Sequence, residues 1–188
     1  IFGTEPGWLF FNDRAVDDVV GDFRNINQFT EKTLNQFVTN LKTKQQWLAQ
    51  RGIEYIFVLA PSKHYVYPEY LPPKFNSLKQ VNMKTQLADA LKAHPEINYL
   101  DLTETIIQGK EEQQMFLKND THWTDYATNL AQFALIKKLE ALFPAQISAQ
   151  KKSWSSFTEE QAHTGDLEMI NGLIGEFTDY RYLPFFDP

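Results

Sequence analysis

At 188 residues, with 43% hydrophobic and 22% charged side chains, the chain can bury the core of one globular domain. Its net charge of −6 argues against a general nucleic-acid binder, which needs a basic face to displace phosphate counterions. The lack of cysteine removes disulfides, thiol nucleophiles and thiolate metal sites, and no apolar run reaches the length of a membrane span.

The opening "GTEPGWLFFNDRAVDD" couples turn residues to an aromatic run, Trp8 to Phe11, and predicts an initial strand or hairpin. From about Asn25 to Arg51 the apolar residues Ile26, Phe29, Phe37, Leu41 and Leu48 fall mostly at helical spacing, and Gly52 ends the helix. "IEYIFVLAP" (53–61) is a continuous apolar run that predicts a strand buried on both faces of a parallel sheet. A Pro-rich loop, "APSKHYVYPEYLPPKF", precedes a polar helix from about Ser77 to Ala93. "INYLDLTETI" (97–106) predicts a second buried strand, and Met115 to Leu117 a short one. Thr124 suits an N-cap and Asp125 the first turn of a helix running to about Phe143. Thr158 with Gln161 reads as a capping box, and a short helix follows near Asp166 to Leu173.

No internal repeat, low-complexity tract or linker interrupts this order, so residues 1–188 are taken as a single domain. Alternating strands and helices imply an α/β fold with a mainly parallel sheet. Chemistry in such sheets gathers beyond the carboxyl ends of the strands, here "APSKHY", "LDLTET" and "KNDTHW".

Asp120 and His122 stand at one of those ends. A carboxylate can orient an imidazole and stabilise its protonated form, and an extended i, i+2 pair points the same way. The residues alone leave two readings open: a catalytic acid and base, or a capped turn whose histidine packs beside Trp123. His163 with Gly165-Asp166 offers a second polar cluster, which could join Asp120 and His122 around a divalent metal. Asp166 is better explained as a helix-start residue. Ser62 could be a nucleophile, but the G-x-S-x-G elbow is absent and Pro61 points to a fixed loop. Lys63 is then available to an anionic or polar group. Lys63, Tyr65 and Trp123 are the candidate substrate contacts, with the tyrosines of the loop open to a packing role instead.

The ordered motifs "PGWLFF", "APSKHYVYPEYLP", "NDTHWT" and "HTGDLEMINGL" resemble the alginate O-acetyltransferase family, the AlgX/AlgJ type of SGNH hydrolase-like domain. The similarity runs through nearly the whole chain; D-T-H-W-T and P-S-K-x-x-x-Y-P-x-Y-L-P are its specific parts. It implies a three-layer α/β/α, flavodoxin-like sandwich and a Ser-His-Asp triad in which Asp120 is the orienting carboxylate and His122 the base. It further implies O-acetylation of exopolysaccharide hydroxyls from a small acyl donor in the bacterial periplasm or outside the cell. No metal or organic cofactor is required, and other exopolysaccharide-assembly proteins are expected partners. The family's serine lies in a later G-D-S motif, which this sequence lacks; Gly165-Asp166-Leu167 matches the family's Gly-Asp-Leu element instead.

The start at Ile1 and the aromatic ending "DYRYLPFFDP" suggest a processed or truncated domain, incomplete at its carboxyl end and inactive as an esterase by itself. Two alternatives stand beside acyl transfer: a non-catalytic carbohydrate-binding or assembly module, and a metal-dependent hydrolase using Asp120, His122 and His163. Beyond Lys151-Lys152 the Lys and Arg residues form no cluster, so a neutral polysaccharide is as open as alginate.

Overall fold

Three polar side chains set where the long helices begin. Thr30 accepts from the Thr33 N–H at the start of α2 (Glu31–Ala49), and Asn82 closes a reciprocal capping box with Thr85 at α4 (Met83–Lys92). Thr124 caps α6 (Asp125–Leu142) as expected, accepting from Ala127. The chain is described by a computed structural model over residues 1–13, 15–75, 81–148, 154–162 and 164–186. His163, Lys151, Lys152 and the predicted helix start at Ser77 lie outside the described residues.

The helix expected from Asn25 begins later because Thr30 is the cap, and Val19–Phe23 forms a separate short helix, α1. Gly52 ends α2 as anticipated, in the left-handed conformation at φ 69°. The amino-terminal hairpin forms: Phe2 bridges Leu9, and the Ile1 ammonium and Phe10 N–H exchange bonds with the opposite carbonyls at 2.8 Å.

Strands β1 (Phe57–Leu59) and β2 (Tyr99–Asp101) pair in parallel, with Val58 opposite Leu100. Both are shorter than the sequence suggested. In β2 the reason is local: Asp101 accepts from the Thr103 N–H at 2.9 Å and turns the chain into α5 (Thr103–Gly109). Nor is β1 buried on both faces, since Val58 is 38% exposed on the side opposite Phe57 and Leu59.

Thr158 and Gln161 are not a capping box. They belong to strand β3 (Trp154–Gln161), which pairs antiparallel with β4 (Tyr180–Phe186). Phe157 then packs edge-on against Tyr126 of α6, a long-range contact that overrides the local capping signal. The aromatic ending is thus largely the second strand of this antiparallel pair. A short helix α7 (Asp166–Asn171) forms where expected and stops at Gly172.

Two apolar clusters flank the parallel pair. Val38, Leu41, Leu87, Leu91 and Ile97 join α2 to α4, with Phe57, Leu59 and Tyr99 packed against them. Phe10, Val66, Ile106, Met115, Phe116 and Tyr126 form the other cluster, which takes Leu100 from the opposite face of β2. The short helix α3 (Lys63–Val66) leaves the end of β1 beside that second cluster. Chain segments 114–124 cross the same cluster just before α6.

Candidate active site

The segment carrying Asp120 and His122 is a closed turn. Phe116 bridges Trp123, the Thr124 N–H reaches the Met115 carbonyl at 2.9 Å, and the Thr124 hydroxyl donates to the Gln114 carbonyl at 2.7 Å. The Phe116 and Trp123 rings meet edge to face, 6.4 Å apart, and anchor its base.

At the tip, Asp120 Oδ1 accepts the His122 N–H at 2.8 Å and lies 2.6 Å from His122 Nδ1. The two side chains therefore meet, but through an Asx turn rather than along an extended strand. The other carboxylate oxygen accepts the Asp166 N–H at 3.1 Å. Asp166 answers by accepting the Thr121 N–H at 2.8 Å and the Thr121 hydroxyl. Leu167 N–H reaches the Asn119 carbonyl at 3.2 Å, so the start of α7 is laced to the turn. Gly165 permits this approach, since a Cβ there would overlap the Asn119 carbonyl group.

Asp120 has 16% of its side chain exposed and His122 has 77%. The Asp120 hydrogen bond is the main cause that raises the His122 pKa above its ordinary value, against a smaller opposing effect of burial. For Asp120 burial disfavours the charged form, yet the bonds from His122 and Asp166 and the His122 charge outweigh it and hold the carboxyl below its usual value. With Nδ1 engaged, Nε2 is the ring nitrogen left to take or give a proton.

The sequence signal for Asp166 was its helix-start position; its second role, 3.7 Å from His122 Nδ1, depends on α7 docking against the turn. Ligand-type atoms of Asp120, His122 and Asp166 lie within 4.8 Å of one another. All four carboxylate oxygens accept protein hydrogen bonds, which tie the three residues together.

Beside the turn lies a cavity of about 390 Å³, walled by Phe11, Val19, Pro61, Phe116, Trp123 and Ile170 and edged by Thr121 and Asp166. Trp123 is thus at the cavity, and Lys63 also borders it. Tyr65 lines a neighbouring cavity of about 250 Å³, its hydroxyl directed to the Asp22 carbonyl and its ring edge-on to Phe23. Ser62 borders both cavities with its Oγ buried and unbonded among the described residues, and the buried Nδ1 of His64 does not reach it. Lys63 points inward: it is 4% exposed, and its Nζ faces main-chain carbonyls.

The family model described as "SGNH hydrolase-like domain, acetyltransferase AlgX" matches residues 1–184. Two curated relatives, each a probable alginate O-acetylase AlgJ, come from Pseudomonas putida KT2440 and Azotobacter vinelandii. They are 28% identical over 129 residues and 29% identical over 127, covering 68% and 65% of this chain. The aligned regions make up 31% and 29% of those proteins, so the chain spans about a third of their length. The solved O-acetyltransferase domain of Pseudomonas putida AlgJ superposes on the whole chain with a TM-score of 0.60 and 21% identity, over 65% of its own length. Bacillus cereus PatB1 with a sulfonyl adduct gives 0.59 at 18% identity, the whole of this chain matching 57% of that one. Pseudomonas aeruginosa AlgX gives 0.57 at 18%, the whole of this chain matching 43%. Together with the family match, these likenesses establish an SGNH hydrolase-like fold.

Proposed function

The chain belongs to the AlgX-type family of SGNH hydrolase-like acetyltransferase domains, and from that premise we propose that it carries the base and orienting carboxylate of an exopolysaccharide O-acetyltransferase. The observation that carries this reading is the 2.6 Å contact between Asp120 and an imidazole that is otherwise open to solvent. A merely structural histidine would gain little from so exposed a place. A base needs both the orienting carboxylate and the access.

In this reading the nucleophilic serine lies outside residues 1–188. His122 Nε2 takes the serine proton as Oγ bonds to the acyl carbon, and returns it to the donor's departing oxygen as the ester bond breaks. The same nitrogen then accepts a proton from the sugar hydroxyl that attacks the acyl-enzyme, and restores it to the serine. Asp120 holds Nδ1–H and stabilises the imidazolium. Trp123 contacts the substrate at the cavity, with Tyr65 in the neighbouring one. The whole protein would take a polysaccharide acceptor and a small acyl donor, work with other exopolysaccharide-assembly proteins, and act in the periplasm or outside the cell. The names of the two alginate O-acetylase relatives support this substrate class. Among the described residues no helix is long and apolar enough to cross a membrane. Apolar clusters on both faces of the parallel pair support a three-layer sandwich for the complete domain.

Turnover of a chromogenic acetyl ester by the full-length protein tests the reading. His122→Ala should cost about a hundredfold or more in kcat. Unchanged turnover, or oligosaccharide binding as the sole activity, would replace it with a non-catalytic carbohydrate-binding module.

A further inference from the structure

One buried cation sits beneath the turn that carries Asp120 and His122. Lys63 Nζ donates to the carbonyls of Leu9 at 2.8 Å, Leu117 at 2.7 Å, Lys118 at 2.6 Å and Asp120 at 3.1 Å. These oxygens come from two separate segments, the amino-terminal hairpin and the 117–120 limb of the turn. The Lys118 carbonyl also accepts the Leu9 N–H at 2.8 Å, which joins the two segments directly; for the carbonyls of Leu9, Leu117 and Asp120 the ammonium is the donor, and carbonyls buried without a donor are costly. The rings of Trp8 and Phe10 lie 5.0 and 5.3 Å from the ammonium and close the remaining sides.

We infer that Lys63 is a positioning residue for the Asp120–His122 pair, drawing the turn onto the hairpin through four carbonyls and thereby setting the carboxylate that aims the imidazole. Its catalytic consequence rests on the function proposed above; its geometric content does not. The Asp120 carbonyl is the direct link, because the residue whose main chain Lys63 holds is the one whose side chain holds His122. The three N–H groups of the ammonium serve the four carbonyls with one bond shared between two of them. A neutral amine would turn its lone pair toward one of them.

The charged groups around Lys63 fit the same role. Asp179, Asp120 and Asp166 supply the negative field, and His64, the neighbouring residue, is kept neutral by burial. Asp179 is itself buried and accepts the N–H groups of Lys118 and Tyr180, so β4 enters the same assembly. Burial pushes the Lys63 pKa down to about 7 against the pull of the three carboxylates.

A direct charge effect and a positioning effect of Lys63 would move the His122 pKa in opposite directions, and this makes the inference testable. Removing a nearby positive charge raises an imidazole pKa, whereas losing the Asp120 contact lowers it. In the full-length protein, Lys63→Met should lower the His122 pKa measured by NMR toward its ordinary value. It should also reduce kcat for an acetyl ester by tenfold or more with KM little changed, as expected when a reacting group is displaced by about an ångström. A folded Lys63→Met protein whose His122 pKa is unchanged or raised overturns the inference. If His122→Ala leaves turnover intact, the functional reading fails while the pKa measurement still decides the positioning role. If Lys63→Met does not fold, the wild-type protein decides: ¹⁵N-lysine spectra should show one Nζ protected from solvent and titrating below the rest. A Lys63 Nζ that exchanges and titrates like surface lysines overturns it.

Discussion

Asp120 Oδ1 accepts the His122 main-chain N–H at 2.8 Å while standing 2.6 Å from the Nδ1 of the same residue. One oxygen therefore fixes both the backbone and the ring of the histidine, so little rotational freedom remains to be lost when the pair acts.

The first prediction concerns pH. Because Asp120 raises the His122 pKa, the neutral imidazole that can act as a base is complete only above that raised value. Activity should rise with pH through it. Asp120→Asn should move the rising limb to lower pH and reduce kcat, and NMR titration of the ring should show the same downward move. The stability effect has the opposite sense: the pair favours the folded state below the ordinary histidine pKa and loses this as pH rises through the raised one. Exposure of His122 keeps that effect small.

A second prediction follows from His64. Burial pushes its pKa down to about 4, with the Phe11 carbonyl bond opposing and Lys63 and the amino terminus assisting. The unfolded chain then binds the extra proton between about 6.5 and 4, so the folded state should lose stability as pH falls through that window. Thermal melts of the wild-type protein should show a falling Tm there. His64→Gln, which can still donate to Phe11 but cannot take up a proton, should flatten that component.

Gly165→Ala is the third. A Cβ at this position meets the Asn119 carbonyl group, so α7 must retreat from the turn. Overpacking of this kind costs about 1–3 kcal/mol. Denaturant titration should register that loss, and the His122 ring should shift as the Asp166 bonds to Thr121 and Asp120 loosen.

Leu91→Ala supplies the contrast. Leu91 is fully buried in the α2–α4 cluster, across the β1–β2 pair from the site. Truncation should cost about 2–5 kcal/mol of stability. The His122 pKa should stay where it was; a shift comparable to that of Asp120→Asn would contradict the separation of the two clusters.

Features encoded within a few residues were legible in the sequence. Thr124 capping α6, Gly52 ending α2 and the Asp120–His122 contact all depend on groups within four residues of each other. Thr158 and Gln161 were misread because their local spacing suits a cap, whereas pairing with Leu183 and Tyr180 decides their conformation. The short reach of β1 and β2 was hidden for the same reason: apolar runs report burial, but ladder length depends on where Asp101 turns the chain.

By itself, then, the sequence determined the family, the order of the main helices and the contact between Asp120 and His122. Only the tertiary structure decided that Asp166 joins that pair and that Lys63 turns away from solvent toward four carbonyls. The physical reason is distance along the chain: Asp166 lies 46 residues from Asp120, and Lys63 lies 57. A lysine's charge reads the same in any sequence, and what it compensates is settled by the carbonyls that folding gathers around it.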